Sequence, residues 1–227
     1  MTRSKRYTAV VAKLDKAKIY SIAEAINILK EDKLKFDSTI EVHLRLGIDP
    51  KKGDQIVRGV VQLPHGTCKT KKVIAFVTPD QENDAKSAGA DIIGNDEVIQ
   101  KIKQTSKIDF EVAVATPAMM KKIAPIAKIL GQKGLMPNPK TETIGPDIKK
   151  IVAGVKAGKA TFKNDDSGNI HALVGKLSFA EDKLVENVKS LIQAVKKVKP
   201  ATSKGTYIKN AVICTTMGPS LKINTNL

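Results

Sequence analysis

From Ile40 the chain alternates without a break: Ile40, Val42, Leu44 and Leu46 are apolar, and Glu41, His43 and Arg45 between them are polar. A period of two predicts a strand with one buried and one wet face. A second run, QIVRGVVQL, follows the turn residues DPKKGD, and the two read as an antiparallel hairpin with a longer loop. Ahead of them SIAEAINILKED opens with Ser21 and Glu24 at the spacing of a capping box, which predicts a short amphipathic helix.

The texture changes at Lys71. KKVIAFV and FEVAVAT are solidly apolar, with the helical stretches DAKSAGADIIG and NDEVIQKIKQ between them and PAMMKKIAPIAKILG after them. Short apolar strands alternating with helices predict a parallel sheet of crossover units, buried on both faces. After Gly158 the first texture returns, with ATFKND and NIHALVG flanking the turn DSG as a second hairpin. Ser178 and Glu181 repeat the capping-box spacing before a helical stripe of Leu184, Val188, Leu191, Ile192, Val195 and Val198, which Pro200 ends. TYIKNAVICTTM is the last predicted strand, broken by GPS.

Two hairpin-and-helix segments thus bracket a crossover block, which makes the fold class α/β. The simplest organisation is a discontinuous domain of residues 1–67 and 159–227 with an α/β domain of residues 68–158 inserted into it; two sequential domains would leave a similar pattern. The Gly-bearing crossings LPHGTCK and VKAGK are the natural hinge.

Charge sharpens the picture. Lys and Arg number 39 against 23 Asp and Glu, a formal net charge of +16 on a chain of ordinary apolar content. Such a surplus repels itself in the compact state and implies a polyanionic partner, either nucleic acid or an anionic membrane surface. No stretch approaches the roughly 18 consecutive apolar residues of a membrane span, and the N-terminus lacks the apolar core of a signal peptide, so a cytoplasmic protein without a membrane partner is expected.

Candidate chemistry is sparse. Cys68 and Cys214 suit neither a zinc ribbon nor a redox motif, leaving reduced thiols or a single disulfide. His43, His65 and His171 lack ligand spacing, so neither metal nor cofactor is expected. HGTCKTKK resembles a phosphate loop only loosely, because Cys68 stands where that motif needs its second Gly and the lysine precedes the strand instead of following it. No G-x-G-x-x-G follows a strand. Asp165 and Asp166 with His171 come nearest to a catalytic cluster, but they lie on a turn and read as solvated, so no catalytic residue is assigned and no enzyme is expected.

The basic residues say more. Arg3, Lys5, Arg6, Lys13, Lys16 and Lys18 face Asp15 alone in the first 20 residues, either a solvated terminus or, as suits a chain of this charge, an arm that contacts phosphate. Lys163, before the second turn, is a further candidate contact. Aromatics make up only 4% and Trp is absent, which disfavours a binder that stacks single-stranded bases and leaves the shape and backbone of structured RNA. Polar, flexible strand ends suited to that surface are KFDST at 35–39 and TTMGP at 215–219, although Phe36 could instead be a core residue and Met217 could merely close a strand.

KRYTAVVAKLD, KFDSTIEVHLRLGIDPKKGDQIVRGVVQLPHGT, GQKGLMPNPKTETIGPD, GNIHALVGKLSF and KGTYIKNAVICTTMGPS, in that order over essentially the whole chain, resemble the bacterial form of the family of the first protein of the large ribosomal subunit, the L-one family. The resemblance implies a split α/β sandwich built from both termini, an inserted Rossmann-like domain, and a hinge. It implies a monomer in the ribosome that binds large-subunit ribosomal RNA directly and forms the mobile stalk beside the tRNA exit site, where it contacts departing tRNA. Repression of its own messenger RNA is implied as well. By motif, the RNA contacts carried over are Lys35, Phe36 and Thr39 in the first strand end and Thr216, Met217 and Gly218 in the second, with the two loops side by side and Gly218 bare so that RNA can approach.

In the signature loop the prolines would stiffen the backbone and present Lys133, Gly134, Lys140 and an exposed Leu135 and Met136 to RNA, or else stiffen it only to close its own domain. Two departures from the family pattern stand out: Cys68 at a hinge position where Gly is expected, and Asp166 where a lysine would contact phosphate. The competing functions are an enzyme acting on a phosphorylated small molecule and a generic nucleic-acid chaperone.

Overall fold

The alternation from Ile40 becomes an interior strand of a four-stranded sheet. The computed structural model describes residues 4–12, 14–15, 18–32, 34–67 and 71–225. In chain order these form α1 (Lys5–Ala12), α2 (Ile22–Lys30), β1 (Thr39–Leu46) and β2 (Arg58–Gln62), then β3 (Val73–Phe76), α3 (Glu82–Ser87), β4 (Ile92–Ile93), α4 (Asp96–Thr105), β5 (Val112–Ala115), α5 (Met120–Ile123), α6 (Ala127–Gln132) and α7 (Ile148–Lys156). The chain ends with β6 (Lys159–Lys163), β7 (Asn169–Lys176), α8 (Glu181–Lys197), β8 (Ile208–Thr215) and β9 (Ser220–Lys222). Contacts group the chain into two units, Met1–Cys68 with Ala160–Leu227, and Lys69–Lys159.

In the first unit the sheet order is β7-β1-β8-β9, with every pairing antiparallel. Ile40, Val42 and Leu44 are fully buried and share one core with Ile26 and Leu29 of α2 and Leu184, Val188, Leu191, Ile192 and Val195 of α8. Each such side chain contributes about 1.5–3 kcal/mol by leaving water. The stripe on α8 is as read, except that Val198 lies past the helix end and is exposed. Asn187 interrupts the stripe, fully buried: its amide donates to Val174 O at 2.8 Å and Gly66 O at 3.1 Å, and its Oδ1 accepts from His65 N at 3.2 Å. One polar residue in an apolar helix face thereby fastens the 65–66 segment.

Several expectations are corrected. β1 does not pair with β2: β7 and β8 occupy its two edges, and β2 joins β6 in a separate two-stranded sheet. A connection from Gly47 to Val57, with its own 3-10 turn at Gly53–Gln55, is too long to dictate a hairpin register, so the long strands decide the pairing. The turn at 165–168 exists, but apart from an Asn164–Ile170 bridge its flanking strands enter different sheets. The Ser21–Glu24 capping box forms. The Ser178–Glu181 box does not, because Asp37 takes the Ser178 N–H at 3.1 Å and its hydroxyl at 2.9 Å. The N-terminal arm holds a helix, α1, and GPS leads into β9, which folds back on β8.

At the 165–168 turn, Asp165 Oδ1 accepts from Asn169 N at 2.7 Å and Ser167 N at 2.9 Å. The Asn169 N–H, foremost, holds the carboxyl down to about 2 from an ordinary 3.8. An unfolded chain therefore takes up this proton first on acidification. The stability that the ionised group contributes is complete above 3.8 and is lost as pH falls through about 2. Asp165→Asn should accordingly be less stable than wild type in urea melts at neutral pH, with the gap closing toward pH 2; a gap unchanged at pH 2 would contradict this.

In the second unit β3 is central, paired in parallel with β4 and β5. All four of its residues are buried, as a continuous apolar strand requires. Ile74 and Phe76 join Ile99, Ile102, Ile123, Ile126 and Leu130 on one side, while Val73 and Ala75 join Ala85, Ile148, Val152 and Val155 on the other. The stretch 117–131 is broken into α5 and α6 by 3-10 turns, one carrying Pro125, which has no N–H to continue a helix.

Candidate nucleic-acid interface

The ends of β1 and β8 lie together. Beyond the Ile40–Thr215 pair, Thr216 N donates to Thr39 O at 2.9 Å and Thr39 N donates to Thr216 Oγ1 at 3.3 Å, so KFDST and TTMGP are adjacent. Asp37 braces the first loop through Ser178, and Lys176 Nζ donates to the Asp37 carbonyl at 3.0 Å. The second is a tight turn closed by Gly218 N to Thr215 O at 2.9 Å, with Met217 in the left-handed region at φ 67°. That conformation costs a non-glycine residue of order 1–3 kcal/mol unless its surroundings hold it.

The turn also accepts Arg6, whose Nη2 donates to Met217 O at 2.8 Å while Nη1 pairs with the Asp32 carboxylate. Phe36 is 51% exposed and Met217 70%, so neither serves the core. Lys35 and Thr216 are exposed beside them, and Thr39 and Gly218 are half-buried. Beneath, the hydroxyls of Ser38 and Thr215 are buried without a hydrogen-bond partner.

Arg3 lies outside the described residues, as do Lys13, Lys16 and Cys68. Lys5 is exposed on α1; Lys163 is exposed on β6, in the other sheet from Thr39 and Thr216. Cys214 is a free thiol.

The polar face of β1 continues from these loops. His43 Nδ1 stands 2.7 Å from His171 Nδ1 of β7, and His43 Nε2 stands 3.1 Å from Cys214 Sγ of β8. Partial burial, then the neighbouring His171, pushes the His43 pKa down against Glu41, and burial with Glu41 pushes the Cys214 thiol up. The imidazole spends its two nitrogens in opposite directions, and among the described residues no group of three or more His, Cys, Asp or Glu side chains is arranged to hold a metal ion. Sequence reasoning missed this cluster because it paired β1 with β2. Alternation placed His43 on a wet face, and His171 was read beside a solvated turn, without bringing the strands together.

The signature loop of the second unit is locked from within. Asn138 N donates to Thr143 Oγ1 at 2.8 Å, Lys140 N to Asn138 Oδ1 at 2.8 Å, and Thr141 Oγ1 to Asn138 O at 3.0 Å. Glu142 pairs with Lys159, and Ile144 bridges Ala115. Lys133, Gly134 and Lys140 are exposed. Leu135 and Met136 are not: they are half-buried against the core that contains Leu130. The cause is Gly134, whose φ of 69° ends α6 and returns Leu135 N to Leu130 O at 2.9 Å, folding the apolar pair inward.

Comparison with known proteins matches residues 28–219 to the model of the Ribosomal protein L1p/L10e family. The chain is 48% identical over 222 residues to the large ribosomal subunit protein uL1 of Solibacter usitatus, covering 97% of this chain and 93% of that one. It is 46% identical over 227 residues to that of Thermobifida fusca, covering 100% and 96%, and 47% identical over 225 residues to that of Streptomyces coelicolor, covering 99% and 93%. With matches of this length and an α/β architecture in several sheets, the chain belongs to the Ribosomal protein L1p/L10e family, whose members are structural ribosomal proteins and not enzymes.

Proposed function

We propose that this protein, a monomer in the cytoplasm, binds large-subunit ribosomal RNA directly through KFDST and TTMGP and so forms the mobile stalk near the tRNA exit site, where it assists release of deacylated tRNA. The same surface recognises a similar fold in its own messenger RNA and represses translation. Residues 1–67 and 159–227 act as the RNA-binding domain, with Lys35, Phe36, Thr39, Thr216, Met217 and Gly218 at its centre and Arg3, Lys5 and Lys163 adding charge. The inserted domain, residues 68–158, offers Lys133, Gly134 and Lys140 to tRNA or ribosomal RNA, with Leu135 and Met136 supporting the loop from below.

One observation carries this reading. Two adjacent loops, braced by their own hydrogen bonds, hold Phe36 and Met217 out in solvent beside Lys35 on a chain of charge +16. A large apolar side chain kept exposed by a rigid turn indicates a partner surface, and the charge indicates a polyanion.

The test is competition binding between a stalk fragment of large-subunit ribosomal RNA and an unrelated hairpin of equal length at two salt concentrations. The stalk fragment should win by orders of magnitude at both, and Thr216→Ala and Met217→Ala should each reduce its advantage about tenfold, the loss of roughly one good contact. Equal competition with a steep salt slope throughout would mean that charge alone binds and would favour the generic chaperone.

A further inference from the structure

We infer that Arg6 is a positioning residue for the RNA-binding turn and not a phosphate contact, an assignment that deepens the RNA-binding reading and rests on it. As one of a run of cations at the N-terminus, Arg6 would ordinarily be counted with its neighbours as charge offered to the phosphate backbone. Its surroundings assign it otherwise. The guanidinium forks, giving Nη1 to the Asp32 carboxylate and Nη2 to the Met217 carbonyl at 2.8 Å. The Asp32 side chain is 3% exposed and that of Arg6 34%.

A carboxylate buried to this degree is tolerated only with a compensating charge. If Arg6 swung out to a phosphate, Asp32 would be left buried and unpaired, so the swing is opposed by the fold itself. What the fork does reach is the backbone of the one described residue of the TTMGP turn that occupies the left-handed region, Met217 at φ 67°. Arg6 therefore ties three segments together: α1, the residues just past α2 where Asp32 sits, and the β8–β9 turn. No residue of α1 is fully buried, and this fork is one tether of the helix to the rest of the unit. A turn already held in its strained form does not have to be ordered when RNA arrives, and affinity gains by that amount.

Lysine cannot replace this function. Its ammonium is a point charge on a flexible stem and lacks the planar fork that spans carboxylate and carbonyl together. Arg6→Lys thus keeps the charge and removes the geometry, which separates the two roles.

The experiment uses the full chain with the stalk fragment and the unrelated hairpin across a salt series, together with amide hydrogen exchange at residues 216–218 without RNA. Arg6→Lys should weaken stalk binding about tenfold, leave the salt slope and hairpin affinity unchanged, and speed exchange at 216–218 while β1 amides exchange as in wild type. Asp32→Asn, which removes no cation but weakens the anchor of the Arg6 fork, should weaken stalk binding in the same direction. The assignment is overturned if Arg6→Lys binds as wild type while Arg6→Gln lowers the salt slope by about one phosphate contact. It is equally overturned if Asp32→Asn tightens binding to both RNAs, the signature of a cation set free. If wild type showed no preference for the stalk fragment, the RNA reading itself would fall, and exchange at 216–218 would still decide whether Arg6 holds the turn.

Discussion

Gly218→Ala is expected to lower affinity for the stalk RNA about a hundredfold, and Thr215→Ala/Gly218→Ala to recover most of the loss. A methyl group added at Gly218 would lie 2.0 Å from Thr215 Oγ1 and 3.4 Å from Thr215 Cβ, so it points into the protein and not toward a ligand. Thr215 is 3% exposed and β-branched, which restricts rotation of its side chain, so relief of the contact is expected from opening of the turn. An opened turn loses the Gly218 N to Thr215 O bond and shifts Met217 and Thr216, the residues proposed to meet RNA. Because Thr215 Oγ1 has no hydrogen-bond partner, deleting it breaks no hydrogen bond, and alanine at 215 makes room for alanine at 218.

The outcome discriminates between two reasons for a glycine here. If the double variant binds nearly as wild type, Gly218 is needed for packing of the turn. If single and double variants are equally poor, the bare backbone is needed because RNA approaches it, the reason the sequence alone suggests. A single variant that binds as wild type would remove the turn from the interface altogether.

What the sequence disclosed and what it concealed divide along a physical line. Period-two alternation located β1 and the apolar run located β3, because burial of one face or two writes itself into local sequence. The Ser21–Glu24 box was legible for the same reason, being complete within four residues. Pairing was not: β1 meets β7 and β8 across more than a hundred residues of chain, and nothing in β1 names its neighbours. The Ser178–Glu181 spacing misled because the better acceptor, Asp37, is far away in sequence. At the candidate interface Phe36 and Met217 were singled out from strand-end motifs that left their exposure open, whereas Arg6–Asp32 and His43–His171–Cys214 exist only after folding. Leu135 and Met136 were misjudged as exposed because polar neighbours surround them, while a left-handed glycine turns them inward.

Gly94→Ala should unfold the second unit well before the first while leaving stalk RNA binding intact. A Cβ at Gly94 would fall 2.2 Å from Phe76 Cδ1 and 2.6 Å from Cε1. Phe76 is fully buried in the central strand, and its ring meets that of Phe110 edge to face at 6.5 Å, so it has nowhere to retreat. Gly94 is itself fixed by its N–H to Ala75 O at 2.8 Å. Overpacking of this kind costs about 1–3 kcal/mol, and a contact this short belongs at the upper end. For a unit of this size the melting temperature should fall by about 10 °C or more. Gly131→Ala is the control: nothing lies within 4 Å of its added Cβ and it sits in α6, so alanine should be neutral or stabilise by up to about 1 kcal/mol. The core of the first unit contains no residue of the second, so thermal melts should resolve the loss while the binding isotherm for the stalk fragment stays unchanged. A wild-type melt for Gly94→Ala would refute the packing argument. A normal fold in the first unit with lost stalk affinity would move the principal RNA contacts into the inserted block.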